Sequence, residues 1–154
     1  MIKLGIVGFG RMGITHYSII NSHDSVQIVG VADNSSIMLD LLAKYVKNVN
    51  IYKDYNELIK NEDLDALIIC TPPQLHYEIA LEAAKNKIHS FVEKPCTIDY
   101  SKAKKLYDIF SKQGLVNQVG YVNRFNDIFI TVKSYLEKNL IGDIISFKTE
   151  MYSR

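Results

Sequence analysis

An apolar strand that runs straight into Gly8-Phe9-Gly10-Arg11-Met12-Gly13 leaves a chain few ways to fold. Ile2, Leu4, Ile6 and Val7 supply the strand, and the residues after the turn take helical spacing. This is the G-x-G-x-x-G pattern of a dinucleotide-binding turn, and each glycine has its own physical task. Gly8 permits the sharp exit from the strand. Gly10 lacks a Cβ, so a pyrophosphate can approach the backbone. Gly13 lets the helix lie close to the strand. The phosphates would rest on the free N–H groups and positive end of that helix. A glycine-rich hexapeptide alone is common in turns. The context gives it weight: a strand before it, a helix after it, and an acid at the right distance.

That acid is Asp33, twenty residues beyond Gly13 and at the end of a second apolar run, Val26 to Val31. A carboxylate there would accept hydrogen bonds from the adenosine ribose hydroxyls and repel a 2′-phosphate. Asn34, Ser35 and Ser36 follow with no Arg or Lys directly after the acid, which favours NAD over NADP. The other reading of Asp33 is a helix N-cap or turn residue.

The remaining chain alternates strand and helix. The first helix is predicted to continue over 14–23, with Ile19 and Ile20 on its buried side. Ile37, Leu41, Leu42 and Tyr45 stripe a second helix, and Asn50 to Tyr52 is a short third strand. Asp54-Tyr55-Asn56-Glu57 resembles a capping box opening a helix that turns Leu58 and Ile59 inward. Asp65 to Cys70 is a fourth strand, apolar enough to be covered on both faces. Thr71-Pro72-Pro73 stops it, and Leu75, Ile79 and Ala83 stripe the next helix. Ile88 to Val92 is a fifth strand, ending in Glu93-Lys94-Pro95. Ala103, Leu106, Tyr107 and Phe110 mark an amphipathic helix that Gly114 ends. Val116 to Gly120 is a sixth strand, followed by a helix striped by Phe125, Ile128, Phe129, Val132, Tyr135 and Leu136. Residues 144–152 alternate, with Ile145, Phe147, Thr149 and Met151 on one side, which predicts a further strand. Six strands separated by helices give an α/β, doubly wound parallel sheet with right-handed crossovers. Ligands of such sheets bind at the carboxyl ends of the strands. Gly8 to Gly13, Asp33, Thr71 to Pro73, Glu93 to Pro95 and Tyr121 to Arg124 are therefore expected to converge on one crevice.

Composition narrows the class. The 154 residues are 47% apolar with a net charge of +1, which supports a packed core and advertises neither nucleic acid nor an anionic membrane as a partner. No apolar run is long enough to span a bilayer, and the first residues do not read as a signal peptide. Cys70 and Cys96 are isolated and lack metal-ligand spacing, as expected of reduced thiols in a cytoplasmic protein.

The combination and order of G-F-G-R-M-G, Asp33, T-P-P-x-x-H (Thr71 to His76), E-K-P (Glu93 to Pro95) and G-Y-V-N-R-F-N (Gly120 to Asn126) resembles the Gfo/Idh/MocA family of NAD(P)-dependent oxidoreductases. That family includes glucose–fructose oxidoreductase, inositol dehydrogenases and nucleotide-sugar dehydrogenases. The E-K-P element is the most specific mark. The resemblance implies a Rossmann-like NAD(P)-binding domain over 1–121, followed over 122–154 by a connecting helix and the first strand of a second α/β domain. Family members are roughly twice as long, so the resemblance implies a chain that lacks most of that domain. It also implies a homo-oligomer, and a small sugar-like substrate whose hydroxyl-bearing carbon exchanges hydride with the nicotinamide.

The resemblance implies roles for single residues. Gly8, Gly10 and Gly13 would hold the pyrophosphate, with backbone contacts from Phe9, Arg11 and Met12, and Asp33 would bind ribose. Thr71 and Pro72 would lie along the cofactor, with His76 near its ribose and nicotinamide side. Glu93 would contact the nicotinamide ribose. Lys94 would sit beside the reacting carbon and hydrogen-bond the substrate oxygen, and its bond to Pro95 is often cis in such proteins. Arg124 would face the nicotinamide and substrate. Each residue also has a plainer reading. Lys94 could pair with Glu93 at the surface, His76 could be a helix histidine partly in the core, and Arg124 could brace the last helix. For the chain as a whole, a non-catalytic NAD-binding or assembly module that associates through strand 144–152 is the alternative, since an unpaired strand is a template for association.

Overall fold

The computed structural model of the chain describes residues 1–150 and 152. β1 (Ile2–Val7) leads through the glycine turn into α1 (Arg11–Ile20). There follow β2 (Val26–Ala32), α2 (Ser36–Tyr45), β3 (Asn50–Tyr52), α3 (Tyr55–Asn61), β4 (Ala66–Ile69), α4 (Pro73–Lys85), β5 (His89–Val92), α5 (Tyr100–Gln113) and β6 (Asn117–Val119). The six strands form one sheet in the order β3-β2-β1-β4-β5-β6, with every neighbouring pair parallel. The strand order reverses beside β1, which pairs with β2 on one side and β4 on the other. This is the doubly wound sheet that the alternation predicts, and its switch point lies at the end of β1.

The pleat sorts the core into two layers. Val7, Leu67 and Ile69 point to the face covered by α3, α4 and α5, where they meet Leu58, Ile79, Ala83, Leu106 and Phe110. Leu4, Ile6 and Ile68 point to the opposite face and meet Phe9, Ile28, Val31 and Leu42. Successive side chains of a strand face opposite ways, so a strand covered on both sides must be apolar throughout. The helix ends are set locally. Asp54 caps α3 by accepting from Asn56 N–H at 2.7 Å, Asp99 caps α5 by accepting from Lys102 N–H at 3.1 Å, and Pro73 opens α4. Gly114 closes α5 in the left-handed conformation, φ +66°.

Several stripes are narrower than their spacing predicts. α1 ends at Ile20 rather than at 23, and Ile19 is 65% exposed. In α2 only Leu42 is buried, while Ile37, Leu41 and Tyr45 face solvent. Leu75 and Tyr107 are likewise exposed. A helix lying on a flat sheet buries a narrow line of residues, and the flanks of an apolar stripe stay open.

The chain divides into two units, Met1–Gly120 and a second that begins at Tyr121. The second holds a 3-10 turn, Val122–Phe125, and α6 (Asp127–Glu137), which Asn126 caps through Ile128 N–H at 3.0 Å. The stripe Phe125, Ile128, Phe129, Val132, Tyr135 and Leu136 is exposed. The strand predicted over 144–152 does not form among its described residues, and Met151 lies outside them. Ile145 is 98% exposed. Alternation makes a strand only where a neighbour supplies the ladder of backbone hydrogen bonds, and no described residue does so here.

Candidate functional site

The glycine turn is built by contact. Gly8 has φ +87°, and a Cβ on it would lie 2.8 Å from the backbone of Cys70 and Thr71, so β1 passes flush against the end of β4. A Cβ on Gly13 would lie 2.1 Å from the carbonyl oxygen of Gly8, which brings the first turn of α1 directly onto the chain that leaves the strand. Gly10 differs from both: a Cβ there would meet nothing within 4 Å. Its neighbourhood is the opening of a cavity of about 630 Å³ at the carboxyl ends of β1, β2 and β4.

That cavity has the donors and acceptors of an anion and ribose site. No side chain caps α1 and no acid lies in its first turn. The first helical acceptor is Gly10 O, taken by Ile14 N–H at 3.0 Å, so the N–H groups ahead of Ile14 are left without helical partners. Asp33 stands at the end of β2, where its carboxylate accepts from Phe9 N–H at 2.6 Å and Ser35 N–H at 2.8 Å. It therefore ties the glycine turn to the next loop, and each oxygen keeps a lone pair for a ligand hydroxyl. Thr71 lines the far wall, and its hydroxyl is buried without a hydrogen-bond partner among the described residues. A buried hydroxyl in that condition is costly unless a water or a ligand satisfies it. Asn34, Ser35, Lys53, Pro72 and Cys70 also line it, with an apolar wall that includes Met38, Leu75 and Ile79. Burial, with the Glu93 carboxylate nearby, pushes the Cys70 thiol up to about 12, so at neutral pH it is a packing group and not a nucleophile.

A second cluster gathers at the end of β5. Glu93 is buried at 6% exposure, and its carboxylate meets His16 Nε2 at 2.9 Å and Lys94 N–H at 3.1 Å. Gly120 packs so closely that a Cβ on it would lie 3.2 Å from Glu93 Oε1. The Lys94–Pro95 peptide is cis. Lys94 itself is exposed and forms no ion pair among the described residues. Its surface pairing with Glu93, one of the two readings of the sequence, does not occur: Glu93 is turned inward to His16. His76 is fully buried, with Nδ1 2.8 Å from Pro95 O and Nε2 2.8 Å from Thr71 O. It bridges the loop after β4 to the turn after β5 and presents no free ring nitrogen to the cavity.

The fold thus brings together Gly8 to Gly13, Asp33, Thr71 and Pro72, and sets Glu93, Lys94 and His76 at the neighbouring strand end. Arg124 belongs to the second unit, where it lines a cleft with Asn123, Phe129, Lys133 and Glu137. His16 was not legible as a site residue. It lies three positions beyond Gly13, yet its partner is 77 residues away, and only the fold makes the pair. Among the described residues no group of His, Cys, Asp and Glu could hold a metal ion, and no helix is long and apolar enough to cross a membrane.

Comparison with known proteins agrees with this geometry. A protein-family model described as an oxidoreductase family with an NAD-binding Rossmann fold matches residues 2–121. An oxidoreductase of Bacillus subtilis known as YrbE is 31% identical over 141 residues, covering 92% of this chain and 41% of its own. Myo-inositol 2-dehydrogenase of Thermotoga maritima is 26% identical over 141 residues, covering 92% of this chain and 42% of its own. Among solved structures, scyllo-inositol dehydrogenase of Lactobacillus casei with bound NAD(H) and scyllo-inositol superposes with a TM-score of 0.83 at 27% identity, covering 93% of this chain and 43% of that one. The chain spans about two fifths of the length of the relatives it matches.

Proposed function

The chain belongs to the Gfo/Idh/MocA oxidoreductase family, and from that premise we propose that it is the nucleotide-binding domain of an NAD-dependent dehydrogenase acting on a hydroxyl-bearing carbon of an inositol or sugar-like small molecule. The observation that carries this reading is the cavity at the end of β1, whose lining includes Gly8, Gly10, Thr71 and Asp33, with the Asp33 carboxylate held by two backbone N–H groups beside the start of α1. These residues fit a dinucleotide. The N–H groups at Arg11 to Gly13 take the pyrophosphate, and the missing Cβ of Gly10 leaves room for it. Asp33 accepts from the adenosine ribose, Thr71 and Pro72 line the path onward, and the carboxylate of Glu93 takes hydroxyls of the second ribose.

When bound, the nicotinamide supplies the hydride acceptor or donor, and the protein supplies position and charge. On this reading Lys94 hydrogen-bonds a substrate oxygen. Its backbone is fixed on both sides, by the bond from its own N–H to Glu93 and by the bond from His76 to Pro95, while its ammonium group forms no ion pair among the described residues. A cation beside a hydroxyl that is losing its proton stabilises the developing charge.

NAD(H) is preferred over NADP(H) on this reading, because the carboxylate of Asp33 is held in place by two backbone N–H groups and opposes a 2′-phosphate. Lys53 also lines the cavity and acts in the other direction. Calorimetric titration of the chain with each dinucleotide decides between them. The expected result is NADH binding at least about tenfold tighter than NADPH, equivalent to about 1.4 kcal/mol. Asp33→Asn, which keeps one acceptor for the backbone but loses the charge, is expected to erase most of that preference. Equal affinities would overturn the cofactor assignment, and failure of a folded sample to bind either would overturn the reading itself.

A further inference from the structure

Glu93 is the one buried carboxylate among the described residues, and a buried carboxylate needs partners for both oxygens. One partner is local, the N–H of Lys94 at 3.1 Å. The other is His16 Nε2 at 2.9 Å, reaching across from α1, the helix whose first turn is assigned to the pyrophosphate on the reading above. The His16 ring is itself fixed edge-on against Phe91 of β5, with ring centres 5.1 Å apart. Gly120 packs against the same carboxylate, where a Cβ would lie 3.2 Å from Glu93 Oε1. The turn after β5 is anchored separately at its far end, where His76 holds Pro95 O. The backbone of the turn and the side chain of Glu93 therefore have different supports.

We propose that His16 is a positioning residue that aims the Glu93 carboxylate at the nicotinamide ribose, coupling the pyrophosphate helix to the strand end that carries Lys94. The inference rests on the cofactor reading above and deepens it. Removal of the imidazole leaves the glycine turn, Asp33 and the His76 bridge in place but frees one oxygen of a buried carboxylate. The loss falls on the half of the dinucleotide that Glu93 meets. The adenosine and pyrophosphate half is spared.

Two ligands separate these halves. NADH carries both, whereas ADP carries only adenosine and pyrophosphate. Calorimetric titration of the wild-type chain, His16→Phe and His16→Gln with each ligand is the test. Phe keeps the contact with Phe91 and removes the hydrogen bond, and Gln restores a donor. His16→Phe is expected to weaken NADH about tenfold and to leave ADP within about twofold, and His16→Gln to recover most of the NADH affinity. Equal loss of NADH and ADP would overturn the proposal, since it would mean that His16 merely supports α1. Unchanged NADH affinity in His16→Phe would also overturn it. Wild-type chain that binds ADP and NADH equally well would remove the role of Glu93 while leaving the glycine site standing. Wild-type chain that binds neither would overturn the cofactor reading and this inference together.

Discussion

The glycines of the turn have the same spacing rule and different physics. Gly13 is required by the fold, because a Cβ there would sit 2.1 Å from a backbone oxygen that cannot move without opening the turn. Gly10 is not required by packing, because no described atom lies within 4 Å of where its Cβ would sit, and on the cofactor reading the need for that space is the ligand's. Two substitutions expose the difference. Gly13→Ala is expected to cost about 3 kcal/mol in denaturant unfolding, the upper end of what overpacking usually costs. Gly10→Ala is expected to cost about 1 kcal/mol or less, the scale of an N-cap change, and still to weaken NADH at least about tenfold. Equal destabilisation by the two would mean that the turn is structural throughout. Sequence spacing finds these positions because the pattern is local, six consecutive residues, even though the close approach at Gly8 is to the distant end of β4. It finds Asp33 for the same reason, through a fixed distance along the chain. It does not show that Asp33 accepts from Phe9 N–H, nor that His16 meets Glu93, because those contacts close over long loops of intervening chain.

At the scale of elements, the six sheet strands and the capped helix ends were legible, the end of α1 was not, and helix faces were legible only in part. β3 falls where the apolar run places it, and β4 is one residue shorter at each end than Asp65 to Cys70. The caps were legible because they are short-range: Asp54 and Gly114 act within a few residues of themselves. The buried side of α2 was not, because a stripe such as Ile37, Leu41, Leu42 and Tyr45 names a face without saying how much of it a flat sheet covers. The alternation over 144–150 failed for a related reason, since strand pairing depends on a partner that period alone does not identify. Asp99 illustrates a cap with a pH signature. The hydroxyl of Ser101 at 2.7 Å, followed by the N–H of Lys102, holds its carboxyl below the ordinary carboxylate range. A depressed carboxylate stabilises the fold above its unfolded value, and the contribution is lost as pH falls through the folded one. Melting of wild type and Asp99→Ala is therefore expected to differ near pH 6, with the gap closing from about pH 4 downward. A gap that persists at pH 2 would assign the effect to helix propensity rather than to the charged cap.

For the whole molecule, the distribution of burial decides what folds with what. Every buried hydrophobic side chain among the described residues lies between Leu4 and Phe110, inside the first unit, and α6 buries none. Both core layers, all six strands and the cavity belong to residues 1–120. Surface that is not removed from water contributes little to stability, because hydrophobic stabilisation scales with the area buried. A chain ending at Gly120 is therefore expected to fold, to melt within about 4 °C of the 154-residue chain, the shift that about 1 kcal/mol produces in a domain of this size, and to bind NADH within about twofold. Thermal unfolding and titration of the two lengths side by side make the comparison. A large fall in melting temperature would mean that the exposed stripe Phe125, Ile128, Phe129 and Val132 contributes to the stability of the first unit. A large fall in NADH affinity at unchanged stability would mean instead that residues beyond Gly120 complete the cofactor site, with Arg124 the first to substitute.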